Sequence, residues 1–304
     1  MTNRPKDNYW AREQEDFDSA RAADESGYSY RDWQPTKWQA LDRLRQHVLM
    51  FAAAQGSPVR SALELGCGSG TLLLQMALGG VRGTGVDRDS SALSLAAASA
   101  RSHGVSSELF KLQLMDFMTE DFPAYADLVF SIGVIEHFDL EEQVKVLRRH
   151  FDFSNSWVLI AVPNLTSPLF QAFLKAKAHD GRLYDEEHVA VDVPALALSV
   201  GAKVELQDGC HVFLSKQDDR RFADPELVAF EDELRERMVA VNKSYSDYPR
   251  MDLESWSIEV LSQVESSLSR EQREHFGFLR WYLLRKATAA QVPPQGEDLQ
   301  FDVN

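Results

Sequence analysis

Glu64 stands directly before three alternating glycines, in the run Glu64-Leu65-Gly66-Cys67-Gly68-Ser69-Gly70. Residues 59–65 form a short apolar run suited to a buried strand, and 71–76 have the apolar density of a helix. A strand passing through glycines into a helix N-terminus lets backbone approach a ligand closely, with amide hydrogens aimed at it. A side chain in the loop would fill the space that ligand needs. A carboxylate at the loop entrance repels pyrophosphate but suits a cationic amino or sulfonium group. The spacing is G-x-G-x-G rather than the dinucleotide G-x-G-x-x-G, which disfavours a nicotinamide dehydrogenase. Asp87 ends a second short strand (83–87), 17 residues past Gly70. That is close to the interval at which an acidic residue takes ribose hydroxyls in nucleotide-binding βαβ units, the alternative being a strand-end helix cap.

Residues 64–70 resemble the first motif of class I S-adenosylmethionine-dependent methyltransferases. The resemblance implies an α/β fold, a seven-stranded mostly parallel sheet with helices on both faces. It implies S-adenosylmethionine as cofactor, held by Glu64, Gly66, Cys67, Gly68, Gly70, Asp87 and Arg88. After a third strand (109–114) comes Met115-Asp116-Phe117. There the family places an acidic residue at the adenine amino group and a neighbour against the ring, roles that Asp116 and Phe117 can fill; a turn cap is the alternative for Asp116. The fourth strand (126–131) ends at Ser131, counted with the cofactor set. It runs into Ile132-Gly133-Val134-Ile135-Glu136-His137-Phe138, which resembles the family's fourth motif. The motif series covers roughly 60–215 and 277–287.

Methyl transfer from a sulfonium is an in-line displacement, so the protein mainly supplies proximity and alignment. A hydroxyl or ammonium acceptor must also lose a proton, for which histidine is the natural base. His137, at the crevice mouth, is the first candidate, with a structural role as its rival. His188, in Asp185-Glu186-Glu187-His188, is the second. His188 and Tyr184 are assigned to the acceptor, because 165–190 resembles the substrate-facing stretch of small-molecule methyltransferases, and Trp33 of the N-terminal segment is assigned to line the same pocket. No metal site is assigned, although those carboxylates with His188 contain suitable donors. His211 reads as an ordinary strand residue, and Cys67 as a small filler without a base partner.

Positioning these groups needs elements on either side. Residues 1–35 carry Tyr9, Trp10, Phe17, Tyr28, Tyr30 and Trp33, too many rings for a disordered tail. Residues 1–58 therefore read as a helical segment packed on the main domain or closing over ligand. Thr36-Lys37-Trp38-Gln39 reads as a capping box for a helix to about 54. Asp89 or Ser90, Asp139, Asp192 and Asp224 read as caps of later helices. A fifth strand (156–163) and a sixth (202–206) follow. Asp208-Gly209 favours a tight turn, after which 210–214 would pair back as strand seven. The preferred reading instead places strand seven at 278–286. The methyltransferase domain is then 59–215 with 267–287, 216–266 is a helical insertion capping the substrate, and 288–304 is a tail.

The 304 residues are enough for a sizeable core, with 44% hydrophobic and 26% charged residues. With 47 acidic against 32 basic residues the formal charge is −15, which disfavours nucleic acid and anionic membrane partners. Two cysteines and no visible secretory signal fit the cytoplasm. The expected function is S-adenosylmethionine-dependent methylation of a small molecule, foremost at oxygen, by a monomer or homodimer. The alternatives are a cofactor-binding regulatory module and a peptide or protein methyltransferase.

Overall fold

Strand side chains alternate between two faces, and this alternation organises the computed structural model, which describes residues 9–23, 29–122, 125–179, 190–213, 220–241 and 257–286. Strands β1 (Ser61–Leu65), β2 (Arg82–Asp87), β3 (Phe110–Leu114), β4 (Ala126–Ile132) and β5 (Ser154–Pro163) are parallel. Strand β7 (Leu279–Lys286) lies antiparallel between β5 and β6 (Ala202–Cys210), so the sheet order is β3-β2-β1-β4-β5-β7-β6. The last strand is thus the 278–286 segment, not 210–214.

Ala62, Leu128, Phe130, Trp157, Leu159, Trp281 and Leu283 face one buried layer. That layer is completed by α1 (Tyr9–Ala23), α2 (Tyr30–Trp33), α3 (Pro35–Ala54), α4 (Thr71–Leu78) and α5 (Ser90–Ser102). Leu63, Leu65, Val129, Val158, Ile160 and Leu284 face the opposite layer, against α6 (Leu140–Phe153) and α8 (Val193–Ser199). Burying each large side chain contributes about 1.5–3 kcal/mol, which makes the strand register specific.

The expected helix caps are in place. Asp89 Oδ1 accepts from Ser91 N–H at 2.8 Å, and Asp139 Oδ1 from Glu142 N–H at 2.9 Å. Asp192 Oδ1 accepts from Ala195 N–H at 3.0 Å. One helix start differs from the expectation. Helix α3 opens at Pro35 with Gln34 at the cap, so Thr36 is already inside it. Proline's fixed φ and missing N–H suit the first helical position, and this outweighs the Thr36 box.

Asp208-Gly209 also departs from expectation, since both residues continue β6, opposite Trp281 and Arg280. Tertiary contact overrides the local turn preference. Asp208 is buried and receives Arg273 Nη2 at 2.8 Å and Arg273 Nε at 3.0 Å. A Cβ on Gly209 would sit 1.9 Å from the Arg273 carbonyl oxygen, so glycine is what lets α11 (Arg270–Phe276) press its backbone on the strand.

A third buried cluster lies at one end of the sheet. It joins Leu169 and Ala172 of α7 (Pro168–His179) to Val212 and Phe213, which follow β6. Leu227, Phe230, Leu234 and Met238 of α9 (Pro225–Val241) and Val260, Leu261 and Val264 of α10 (Ile258–Ser267) complete it. Phe230 stacks on Phe276 at a centroid distance of 3.8 Å. Asp224 caps α9 through a 2.8 Å bond from Leu227 N–H.

Candidate active site

The glycine loop leaves β1 and enters α4 at the carboxyl ends of the parallel strands, where α/β sheets bind ligands. Gly66, Gly68 and Gly70 have φ of +64°, +51° and +61°, a region that other residues enter only at a cost. The loop is fixed by backbone, with Cys67 N–H donating to Val86 O at 3.0 Å and Gly70 N–H to Cys67 O at 2.7 Å. Asp87, at the end of β2, holds it from the side: Oδ2 accepts from Gly68 N–H and Oδ1 from Asp89 N–H, both at 2.9 Å. Each carboxylate oxygen carries two lone pairs, so one on each remains for ribose hydroxyls.

Glu64 points into the α3–α4 layer and is 3% exposed. Its Oε2 is buried with no hydrogen-bond partner among the described residues. Burial pushes its carboxyl well above the usual range, Asp87 adds to the rise, and Lys37 opposes it. Lys37, near the start of α3, donates from Nζ to Ser69 Oγ at 3.2 Å, which brings a cation to the loop. The Cys67 thiol is buried and raised well above its ordinary pKa by burial and the nearby carboxylates. It fills space against Gly85, as a small residue would, and a thiolate is disfavoured there.

The other predicted residues are dispersed. Arg88 is exposed on the turn after β2. Asp116 makes a turn, its Oδ1 accepting from Met118 N–H at 2.9 Å. Phe117 is buried, its ring in T-shaped contact with Phe138 and His150. Ser131 is fully buried and its Oγ lies 2.9 Å from His150 Nε2, so only its backbone faces the crevice end. His137 is exposed on the 3-10 turn Ile135–His137. Trp33 packs on Phe17 and Tyr30, in the aromatic cluster that joins α1 to α2. Tyr184 and His188 lie outside the described residues.

A strand running through a glycine cradle onto a helix, flanked by Glu64 and Asp87, is matched by the family comparison. Residues 62–154 fit a family described as a methyltransferase domain. Residues 62–154 of the chain carry a methyltransferase domain. S-adenosylmethionine is the cofactor of such domains.

No curated protein matches the sequence. Among solved structures, the magnesium protoporphyrin IX methyltransferase of Synechocystis PCC 6803 with bound SAH is 17% identical, with a TM-score of 0.43 over 58% of this chain and 77% of that one. An S-adenosylmethionine-dependent methyltransferase from Clostridium acetobutylicum ATCC 824 is 12% identical, at 0.47 over 92% and 100%. A mitomycin 7-O-methyltransferase is 16% identical, at 0.45 over 75% and 49%. None of the three bears on what this chain methylates.

The residues of the methyltransferase domain fit its cofactor. The orphaned Glu64 oxygen needs a donor, and an ammonium supplies one. Among the described residues no group of three His, Cys, Asp or Glu side chains is placed to hold a metal ion, and no helix is long and apolar enough to cross a membrane.

Four residues near the site carried no usable sequence signal. The Trp10 indole of α1 lies over the loop: a Cβ on Gly68 would be 2.4 Å from its Cη2. Lys37 reads in sequence only as part of a helix start. His150 is buried, with Nδ1 2.8 Å from Val146 O. A carbonyl can only accept, so Nδ1 carries the proton and Nε2 accepts from Ser131. His211 follows β6 at φ +64°, in a conformation that no periodicity reveals.

Proposed function

We propose that the chain methylates a small molecule, foremost at oxygen, with nitrogen or carbon as the other acceptor atoms. The observation that carries this reading is the helical cluster over the β5, β6 and β7 ends nearest the crevice. There α7, α9, α10 and α11 bury Phe230, Leu234, Val260 and Phe276 together. An acceptor end roofed by packed helices suits a compact molecule better than a polypeptide crossing an open cleft. The charge of −15 supports the same choice against nucleic acid.

When bound, S-adenosylmethionine supplies an electrophilic methyl carbon. In this reading Glu64 faces its ammonium, Asp87 its ribose, and Asp116, Phe117 and Arg88 its adenine end. Gly66, Cys67, Gly68 and Gly70 let backbone approach it. The roof keeps water from the reacting centre. Tyr184, His188 and Trp33 are assigned to the acceptor, and His137 to its proton.

The test is calorimetry with S-adenosylhomocysteine, followed by transfer of a labelled methyl group into separated low-mass, peptide and protein fractions. Label is expected in the low-mass fraction. Label in peptide or protein would overturn the substrate class, and tight binding without label anywhere would favour a regulatory module. His137→Ala is expected to lower turnover by roughly 10²–10⁴ with cofactor affinity intact if His137 is the base.

A further inference from the structure

His211 is the one described residue other than glycine with φ in the left-handed region, at +64°. Its backbone is clamped on both sides: N–H donates to Glu265 Oε1 at 3.1 Å, and the carbonyl accepts from Phe278 N–H at 3.0 Å. Glu265 is itself fully buried and held by Gln39 Nε2 at 2.5 Å. Backbone held in such a conformation persists only where its surroundings enforce it, and such positions concentrate at functional sites.

The side chain adds a separate observation. His211 Nε2 is sealed from solvent with no hydrogen-bond partner among the described residues. Leaving a polar group in that state is costly, and a ligand that completes the bond removes the cost. Burial, and then Lys37, hold the imidazole down to a pKa of about 4, so it stays neutral at physiological pH. His211 follows the carboxyl end of β6, and the Glu265 that clamps it is held by Gln39, two residues along α3 from Lys37, which donates to Ser69 of the glycine loop.

The surroundings are aromatic. The His211 ring is 5.4 Å from Phe278, which meets Phe170 at 4.9 Å and Phe173 at 5.1 Å. Phe278 is held by the end of β5, where Asn164 N–H donates to Phe278 O at 2.9 Å and Asn164 Nδ2 to Gly277 O at 3.1 Å. Ring-on-ring contacts of this kind favour a flat aromatic ligand.

We propose that His211 hydrogen-bonds the hydroxyl of an aromatic methyl acceptor and so orients its oxygen. The inference rests on the methyltransferase reading and narrows its acceptor to phenol-like compounds. A hydroxyl is the suitable partner because it donates to the imidazole and keeps a lone pair for the methyl carbon. His211 is then a specificity residue, whereas His137 lies exposed on its turn.

The probes are 4-nitrophenol and its methyl ether 4-nitroanisole, added to the full-length protein saturated with S-adenosylhomocysteine. Imidazole ¹⁵N shifts assigned to His211 are expected to move with 4-nitrophenol and not with 4-nitroanisole. His211→Gly removes the ring and relieves the backbone, so it is expected to keep or raise Tm and to bind S-adenosylhomocysteine like the parent. It should bind 4-nitrophenol at least tenfold more weakly, while His211→Asn, which tolerates the same φ, should recover part of that loss. Unmoved shifts, equal response to both probes, or unchanged 4-nitrophenol binding in His211→Gly would each overturn the proposal. Failure of the parent to bind S-adenosylhomocysteine would instead overturn the cofactor reading beneath it.

Discussion

Asp87 serves two purposes that its sequence position alone does not separate. It is placed for ribose, yet it already accepts two backbone N–H groups that shape the glycine loop. Asp87→Ala is therefore expected to weaken S-adenosylhomocysteine binding tenfold or more and also to destabilise the ligand-free protein by about 1.5–3 kcal/mol. Calorimetry and thermal melting check the two halves, and an unchanged Tm would contradict the loop-holding role. Glu64 makes a pH-dependent prediction. Its raised pKa leaves a protonated fraction in the free protein, and a cationic ligand favours the ionised form. Binding then releases a proton, so affinity rises as pH rises through the free-state pKa of Glu64. Titrations in buffers of different ionisation enthalpy should show that release, and Glu64→Gln should abolish it and weaken binding roughly tenfold.

The elements explain why some local signals hold and others yield. The acidic caps of α5, α6, α8 and α9 involve residues two or three apart, so sequence suffices to place them. Asp208-Gly209 is different, because its strand geometry is imposed by α11, some 65 residues later in the chain. Gly209→Ala is expected to cost about 3 kcal/mol or more, since a methyl group would collide with backbone rather than with a movable side chain. Chemical denaturation measures this, and a variant as stable as the parent would mean that β6 and α11 do not pack as described. The same contact ties α10 and α11 to the sheet through Asp208, Arg273 and Glu265. The helical cluster is thus joined to the methyltransferase domain by buried polar bonds as well as by apolar area.

At the scale of the whole molecule, the buried His150 and the partly buried His211 make stability sensitive to acid. Burial holds His150 at a pKa of about 4, against 6.5 for an exposed imidazole. Between those values the unfolded chain binds a proton that the folded chain does not, so folding stability falls as pH drops from 6.5 to about 4. The loss is about 3 kcal/mol for His150, and His211 adds to it with the same sign. Denaturation midpoints followed from pH 7 to pH 4 should show the decline. His150→Gln, which cannot titrate there, should flatten it, and a parent curve without such a slope would contradict the buried neutral state.

The residues that sequence alone specified are those whose signal is local: the Glu64–Gly70 loop, Asp87 at a strand end, the helix caps and the alternating apolar strands. Their physical causes are steric and short-ranged, so spacing reveals them. The sequence also left strand seven open between two segments, because both carry adequate β propensity. Only pairing decided it: Leu279–Lys286 bonds to β5 on one side and β6 on the other, filling the sheet in a way that 210–214 does not. The tertiary structure likewise placed Trp10 on Gly68, Lys37 on Ser69 and His211 between Glu265 and Phe278. Each of these contacts joins segments far apart in the chain. Their energies come from burial and from bonds completed across that distance, which no window of sequence contains.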